Sequence, residues 1–332
     1  MADVARTLDA TGALSLRTAR ARRPAREWTA LWLIAPAAAL MVVILLVPIA
    51  TALVLSFTDY SLGNGTFNWV GLENYERLFT RSSYAKMFSA TFGYVLVVVP
   101  TSVLLGLGTA LLVNSVRRGG DLYKTIYFLP VMAALLAMAI AWEFAFHPTI
   151  GVVNRTLQAG CGTAFWLAVL GDWYAQGCTE GFPVWLRERA TAFWIVCFIG
   201  VWQAFGFNMV LYLAGLTGVP RELYHAAEMD GASSAWERFR LVTWPMLGPT
   251  TVFVVMITTI RSFQVFDTVE AIYPQSGGPG KSVYVMMFAL YEKAIKQNLV
   301  GIGAAITILF LVFVMVLTLL QRWLVERRVH YA

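Results

Sequence analysis

Charge is scarce in this sequence. Asp, Glu, Lys and Arg supply 13% of its 332 residues, about half of the rough quarter that covers a soluble surface, so two soluble domains are excluded despite sufficient length. Its three histidines, His147, His225 and His330, lie in separate intervals with no His-x-x-His or His-Glu pairing, so no metal site is legible. The three cysteines match no metal or redox spacing. Cys197 sits in an apolar stretch and reads as a packing residue. Cys161 and Cys178 share one interval, where they either form a disulfide, given an oxidising compartment and a close Cα approach, or remain two thiols. Period-two alternation is missing, which disfavours a β-barrel. The segment Gly277-Gly278-Pro279-Gly280-Lys281-Ser282 lacks the first glycine of a phosphate-binding loop, since Gln275 occupies that place, and no strand leads into it. It reads as a glycine-proline turn.

What is abundant is apolar surface: 58% of residues are hydrophobic and mean hydropathy is +0.65. A bilayer core of about 30 Å needs roughly 20 apolar residues per helix. Six runs of that kind lie near Trp28–Ser56, Phe88–Val116, Tyr123–Phe146, Ala190–Leu216, Pro249–Tyr273 and Leu299–Leu324. The reading is an all-α polytopic membrane protein with six transmembrane helices, organised as a basic segment over 1–27, a membrane domain over 28–325 and a tail over 326–332. The first apolar stretch exceeds the 7–15 residues of a signal-peptide core, so it is expected to remain as a span.

The formal net charge of +6 is read by position, as topology and not as a nucleic-acid surface. The terminal and even-numbered intervals carry the concentrated positive charge: six arginines before the first span, then Arg117, Arg118 and Lys124, then Arg221, Arg238 and Arg240, then Arg322, Arg327 and Arg328. The positive-inside rule predicts both termini in the cytoplasm. The leader can also meet acidic lipid head groups.

The cytoplasmic interval 217–248 is the most structured in pattern. Pro220 suits a helix start, Glu222 favours its N-terminus, and Leu223, Ala226 and Ala227 form an apolar face at i, i+3 and i+4. His225 and Asp230 flank that face, Gly231 supplies a left-handed cap, and Ser234-Ala235-Trp236-Glu237 is a capping box that opens a second helix. Pro245 marks its handover to the fifth span. Two short helices joined at a glycine make either a knob that a partner's groove admits or an amphipathic loop resting on lipid.

This loop resembles the signature of the inner-membrane permease subunits of binding-protein-dependent ABC importers, in particular their carbohydrate-uptake branch. The family pattern Glu-Ala-Ala, three residues, Gly, nine residues, an aliphatic residue and a nearby Pro is matched by Ala226, Ala227, Asp230, Gly231 and Pro245. Two departures are visible: His225 takes the usual glutamate position, and ten residues separate Gly231 from Val242. Ser56-Phe57-Thr58-Asp59-Tyr60, Val70-Gly71-Leu72-Glu73-Asn74-Tyr75, Phe128-Leu129-Pro130, Phe266-Asp267 and Gly277-Gly278-Pro279-Gly280 follow in the order of the same branch, so the resemblance covers nearly the whole chain. It implies the type I importer permease fold and a bacterial-type inner membrane. It also implies a non-catalytic chain that binds no cofactor, with ATP and magnesium held on two cytoplasmic ATPase subunits. A second permease, giving a heterodimer, and an extracytoplasmic solute-binding protein complete the implied assembly. The implied cargo is a carbohydrate, a related polyol or a phosphorylated polyol.

Polar groups inside spans are costly and usually face a bundle interior or a wet path. In the fifth span Arg261, Gln264 and Asp267 recur every three residues near Thr258, with Phe263, Phe266 and Tyr273 close by to meet sugar C–H faces. They line a substrate path or hold the bundle together, for example through an Arg261–Asp267 pair. In the fourth span Gln203, Asn208 and Tyr212 are read as lining. Gly200, Gly206, Gly301 and Gly303 serve close helix approach, between subunits or within the chain. Three rivals are an ion-coupled secondary transporter, which would work without ATP, an importer permease for a non-sugar solute, and a membrane enzyme acting on lipid-linked substrates, which would need catalytic carboxylates or histidines that do not converge here.

Overall fold

The computed structural model describes residues 28–63, 68–116 and 118–326. The basic leader, Arg117 and residues 327–332 lie outside the described residues. The chain divides into two compact units, residues 1–50 and 51–332. The first holds α1 (Trp28–Met41) and a π-helical turn (Val42–Leu46) that runs into α2 (Val47–Leu55).

In the second unit a short amphipathic helix, α3 (Glu73–Thr80), precedes the long α4 (Ser82–Ser115). After α5 (Gly120–Met132) and α6 (Leu135–Ala145), two helices of the wide loop follow, α7 (Val152–Ala159) and α8 (Ala164–Glu180), and then the long α9 (Arg189–Thr217). The polar interval folds as α10 (Arg221–Met229), α11 (Ala235–Arg238), a π-helical turn (Phe239–Thr243) and the single turn α12 (Trp244–Met246). The chain continues through α13 (Gly248–Phe263), α14 (Asp267–Ile272), α15 (Met286–Tyr291), a π-helical turn (Glu292–Lys296) and α16 (Val300–Glu326). Among the described residues the only β pairing is an isolated bridge between Thr58 and Trp69.

Five helical stretches are long and apolar enough to cross a bilayer, and a sixth is reached only if α5 and α6 together make one bent span. The third expected span, Tyr123–Phe146, is thus not a continuous helix. Its two halves meet at 99°, because Ala133 and Ala134 are extended (ψ 141° and 122°) and Pro130 removes a donor from the last turn of α5. The fifth span also differs from a single rod. Phe266, at φ −144° and ψ −58°, separates α13 from α14, so the three-residue recurrence of Arg261, Gln264 and Asp267 does not trace a strip on one unbroken helix.

Packing centres on α4 and α9. Their seam is a stripe of Val99, Val103 and Leu107 against Met209, Tyr212 and Leu216, closed by Leu247 and Val254 from the chain around α13; spacings of three and four put each set on one helix face. The backbones meet closely at Gly106, where a Cβ would stand 2.6 Å from that of Asn208. A polar bridge crosses the same level. Thr258 Oγ1 donates to Asn208 Oδ1 at 2.8 Å, and Asn208 Nδ2 donates to Ser102 Oγ at 3.3 Å, a buried bridge that joins α4, α9 and α13. A second cluster gathers Met87, Tyr94, Val98, Val269, Tyr284, Phe288 and Ile306.

The four glycines have intrachain explanations. Added Cβ atoms would come within 2.1 Å of Tyr94 Oη at Gly200, 2.2 Å of the Tyr127 carbonyl at Gly206, 2.1 Å of the Thr58 carbonyl at Gly301 and 2.6 Å of Ala294 Cβ at Gly303. In the wide loop, Cys161 and Cys178 form a disulfide with Cα atoms 5.8 Å apart, and Tyr174 Oη donates to the Leu157 carbonyl at 2.7 Å, tying α7 to α8. Cys197 is a buried free thiol, as expected of a packing residue.

At Gly206 the obstacle is backbone, which cannot rotate aside. Gly206→Val is therefore expected to separate α5 from α9 and to cost about 1–3 kcal/mol by overpacking, read as a lowered unfolding midpoint of the detergent-purified protein.

Candidate functional site

A cavity of about 340 Å³ opens between α4, α5, α9 and the α13–α14 break. Gln203, Asn208, Arg261, Gln264 and Asp267 all line it, together with Tyr94, Val131, Phe207, Ser262, Phe266 and Thr268. The break has a direct consequence for this lining. Where α13 stops, the N–H groups of Gln264 and Val265 close its last turn on the Ile260, Arg261 and Ser262 carbonyls, and Gln264, Val265 and Phe266 line the cavity; interrupted backbone at membrane depth is tolerated where it lines a cavity.

The residues contribute differently. Arg261 is exposed to the cavity and its guanidinium stacks over the Phe207 ring with Cζ 4.0 Å from the centroid; face stacking leaves its N–H edge available. Among the described residues neither Arg261 nor Asp267 is in an ion pair, so they do not hold the bundle together by pairing with each other. Gln203 is half-buried, and Gln264 and Asp267 are exposed. Asn208 touches the cavity but is 1% exposed, with its amide consumed by Ser102 and Thr258. Tyr212 is a correction: it does not reach the cavity and is wholly buried between α4, α9 and Leu247, because it falls on the seam face of α9.

Of the aromatics near the fifth span only Phe266 lines the cavity. Phe263 is buried with its ring 5.9 Å from Phe92, and Tyr273 Oη donates to the Leu186 carbonyl at 2.7 Å. Phe207 was not singled out from sequence, although it lies one helical turn after Gln203 and so shares its face.

The interval 217–248 forms a compact knob. α10 starts after Pro220 and ends at Asp230. Gly231 then takes φ +95°, the left-handed region that favours glycine, and lets Ala232 N–H reach back to the Ala227 carbonyl at 2.9 Å. The capping box is present: Glu237 N–H donates to Ser234 Oγ at 3.1 Å and Ser234 N–H to Glu237 Oε2 at 2.9 Å. That backbone bond from Ser234 holds the Glu237 carboxyl below its ordinary range. Arg238 Nη1 bridges to Glu228 Oε1 at 2.6 Å, and Tyr224 Oη lies 3.0 Å from Thr243 Oγ1.

Inside is a small core of Val219, Ala227, Ala232 and Val242 with Tyr224 against it. The expected apolar face is therefore rotated: Ala227 is buried, but Leu223 and Ala226 point outward with Glu222, His225, Asp230 and Gly231. Tyr224, not Leu223, covers Ala227. His225 Nδ1 stands 3.8 Å from Glu228 Oε2 on the surface. The tenth residue between Gly231 and Val242 is accommodated by the π-helical turn Phe239–Thr243, in which the i→i+5 pattern takes up one residue more than an α-turn, and Val242 keeps its place in the core. Pro245 is exposed in α12.

A Cβ on Gly231 would meet nothing within 4 Å, so substitution acts through backbone strain of about 1–2 kcal/mol. Gly231→Val is expected to loosen the knob and speed tryptic cleavage at Arg238. Gly231→Asn, which tolerates the left-handed region, is expected to cleave at nearly the original rate.

A family profile described as binding-protein-dependent transport system inner membrane component matches residues 102–330. The chain is 30% identical over 287 residues to the probable ABC transporter permease protein YesP of Bacillus subtilis, covering 86% of each chain. It is 28% identical to the sn-glycerol-3-phosphate transport system permease protein UgpA of Agrobacterium fabrum, over 90% of this chain and 95% of that one. It is also 30% identical to the lactose transport system permease protein LacF of Rhizobium radiobacter, over 90% and 94%. The crystal structure of a bacterial ABC transporter involved in the import of the acidic polysaccharide alginate matches with a TM-score of 0.73 at 19% identity, covering 91% of this chain and 96% of that one. A structure of the bacterial alginate ABC transporter in complex with an alginate pentasaccharide-bound periplasmic protein matches equally, with a TM-score of 0.73 at 20% identity; both likenesses concern the fold. The knob, the broken helix beside a polar cavity and the family match converge: this chain belongs to the binding-protein-dependent transport system inner membrane components, the permease subunits of ABC importers.

Proposed function

We propose that this chain is one membrane half of an ATP-driven importer for a carbohydrate, a related polyol or a phosphorylated polyol, working by alternating access. The observation that carries the reading is connectivity. The knob joins α9 to α13, and these two helices carry Gln203 and Arg261 into the cavity. A push on the knob is therefore delivered along rigid helices to the residues that would hold cargo.

Two cytoplasmic ATPase subunits, which would carry the ATP and magnesium, are the proposed source of that push. Met229, Trp236 and Leu241 stand exposed on the knob, an apolar surface of the kind a partner's groove covers. The rest of the assembly is a second permease chain and an extracytoplasmic binding protein, supported by the periplasmic protein bound to the alginate transporter. Both termini are proposed to face the cytoplasm. The wide loop and the knob flank the single span α9 and so face opposite compartments. The disulfide in the loop suits the oxidising one.

The lining suits a polyhydroxylated cargo. Arg261, Gln203, Gln264 and Asp267 offer donors and acceptors, and Phe266 offers an apolar face. The sugar and glycerol-phosphate relatives support this class. The chain itself performs no chemistry in this reading; it binds, orients and releases.

The test is uptake by proteoliposomes holding the purified assembly, with labelled saccharides and polyol phosphates. Uptake is expected to require ATP and to be lost in Gly231→Val, while Asp267→Asn raises KM about tenfold, the scale of one lost charge-assisted hydrogen bond. Uptake that proceeds without ATP would overturn the proposal in favour of an ion-coupled transporter.

A further inference from the structure

The outer piece of the fifth span is held by a lysine outside the cavity. α14 has six residues, too few to persist as a helix without tertiary support. Val269 is buried in the cluster with Tyr284, Phe288 and Ile306, and Ile272 in another with Ala139, Phe146 and Ile199. Such burial is non-directional. It sets where α14 lies more firmly than how it is rotated, and rotation decides where Asp267 points.

Directional contacts come from Tyr273 at the end of α14, whose Oη donates to the Leu186 carbonyl, and nearer Asp267 from Lys296, at the end of the π-helical turn before α16. Its ammonium donates to both oxygens of Glu270, at 2.8 and 2.9 Å, and to the Pro274 carbonyl. Three acceptors satisfy its three N–H groups. The same ammonium lies 5.3 and 5.0 Å from the ring centroids of Phe288 and Tyr291, within cation–π range. Tyr291 in turn packs edge-on against Phe266 at 5.0 Å. Lys296 thus grips α14 at Glu270, one turn after Asp267, and at Pro274 beyond its end, and it supports the ring under Phe266. Lys296 is not among the cavity-lining residues.

We propose that Lys296 is a positioning residue for the cavity: through Glu270, Pro274 and Tyr291 it sets the angle at which Asp267 and Phe266 face the cargo. The effect on transport rests on the cavity being the pathway proposed above; the effect on geometry does not.

The chain supplies a clean background for a thiol reporter, because Cys161 and Cys178 are bonded and Cys197 is 2% exposed. In the assembled transporter, Asp267→Cys would be labelled with a small water-soluble methanethiosulfonate, with Gln203→Cys on α9 as the control. Lys296→Met is expected to change the Asp267→Cys labelling rate by about fivefold, the scale of a 1 kcal/mol change in population, and to leave the control within twofold. Lys296→Arg, which keeps the charge, is expected to restore most of the rate. On the native background Lys296→Met should raise the KM for uptake with little change in kcat, the signature of altered ground-state binding.

An unchanged Asp267→Cys rate overturns the proposal whatever transport does. A changed rate with unaltered KM also overturns it when Asp267→Asn does alter KM, since the cavity is then the pathway and Lys296 does not tune it. If neither Lys296→Met nor Asp267→Asn changes KM, the cavity assignment fails instead. Glu270→Gln, which keeps one acceptor, replaces Lys296→Met should that variant fail to assemble, and is expected to give a smaller shift of the same sign.

Discussion

Everything else in the second unit is arranged around the approach of α4 to α9. In a bilayer the lipid is as apolar as the side chains, so helices gain little from merely hiding Leu and Val; close backbone contact and interhelical hydrogen bonds supply the specificity. Gly106 permits that contact at Asn208, and Asn208 then distributes its two amide ends to Ser102 on α4 and Thr258 on α13. Bridges of this kind average about 0.6 kcal/mol in membrane proteins, with the largest near 1.7. The importance of this one is geometric: it sets the level at which three helices cross, and the cavity sits at that level.

Interruption is what makes the cavity polar. A continuous fifth helix would present its side chains at fixed 100° steps, with Arg261 and Asp267 about 120° apart around its axis. The break at Gln264–Phe266 leaves Arg261 in the last turn of α13 and lets Asp267 begin α14, both facing one space. The exposed charges of Arg261 and Asp267 both line the cavity, the setting in which charge within a span is tolerated. Arg261 is steadied by Phe207, and α14 is steadied from behind by Lys296. The lysine contact at the α14 end and chain continuity at the knob end give the two halves of this span different attachments.

The knob shows how a short polar interval becomes a compact unit. Its core has four small or β-branched residues, and the capping box and the Arg238–Glu228 bridge supply the directional contacts around it. The π-helical turn before α12 absorbs a residue without displacing Val242. Residues that face outward, among them Leu223, Ala226 and His225, stay exposed, whereas Ala227 serves the fold.

Much of this was legible in the order of residues. Long apolar runs can satisfy their backbone only as helices in lipid, so the spans followed from composition. Local rules placed the knob: proline at the start, glycine at the turn, and serine and glutamate three apart. The family could be read from the ordered motifs. What order could not decide was anything that depends on which elements meet. The bend in the third span has a local mark in Pro130, but the break in the fifth sits at Gln264–Phe266, where no proline or glycine forbids a helix. Tyr212 and Asn208 are one turn apart on α9, yet one meets an apolar seam and the other a polar bridge. Lys296 lies 26 residues from Glu270 in a stretch with no periodic signal. Local sequence dictates what each backbone segment can form; which side chain meets which is a property of the packed structure, because hydrogen bonds and ring contacts are satisfied only across elements brought together in space.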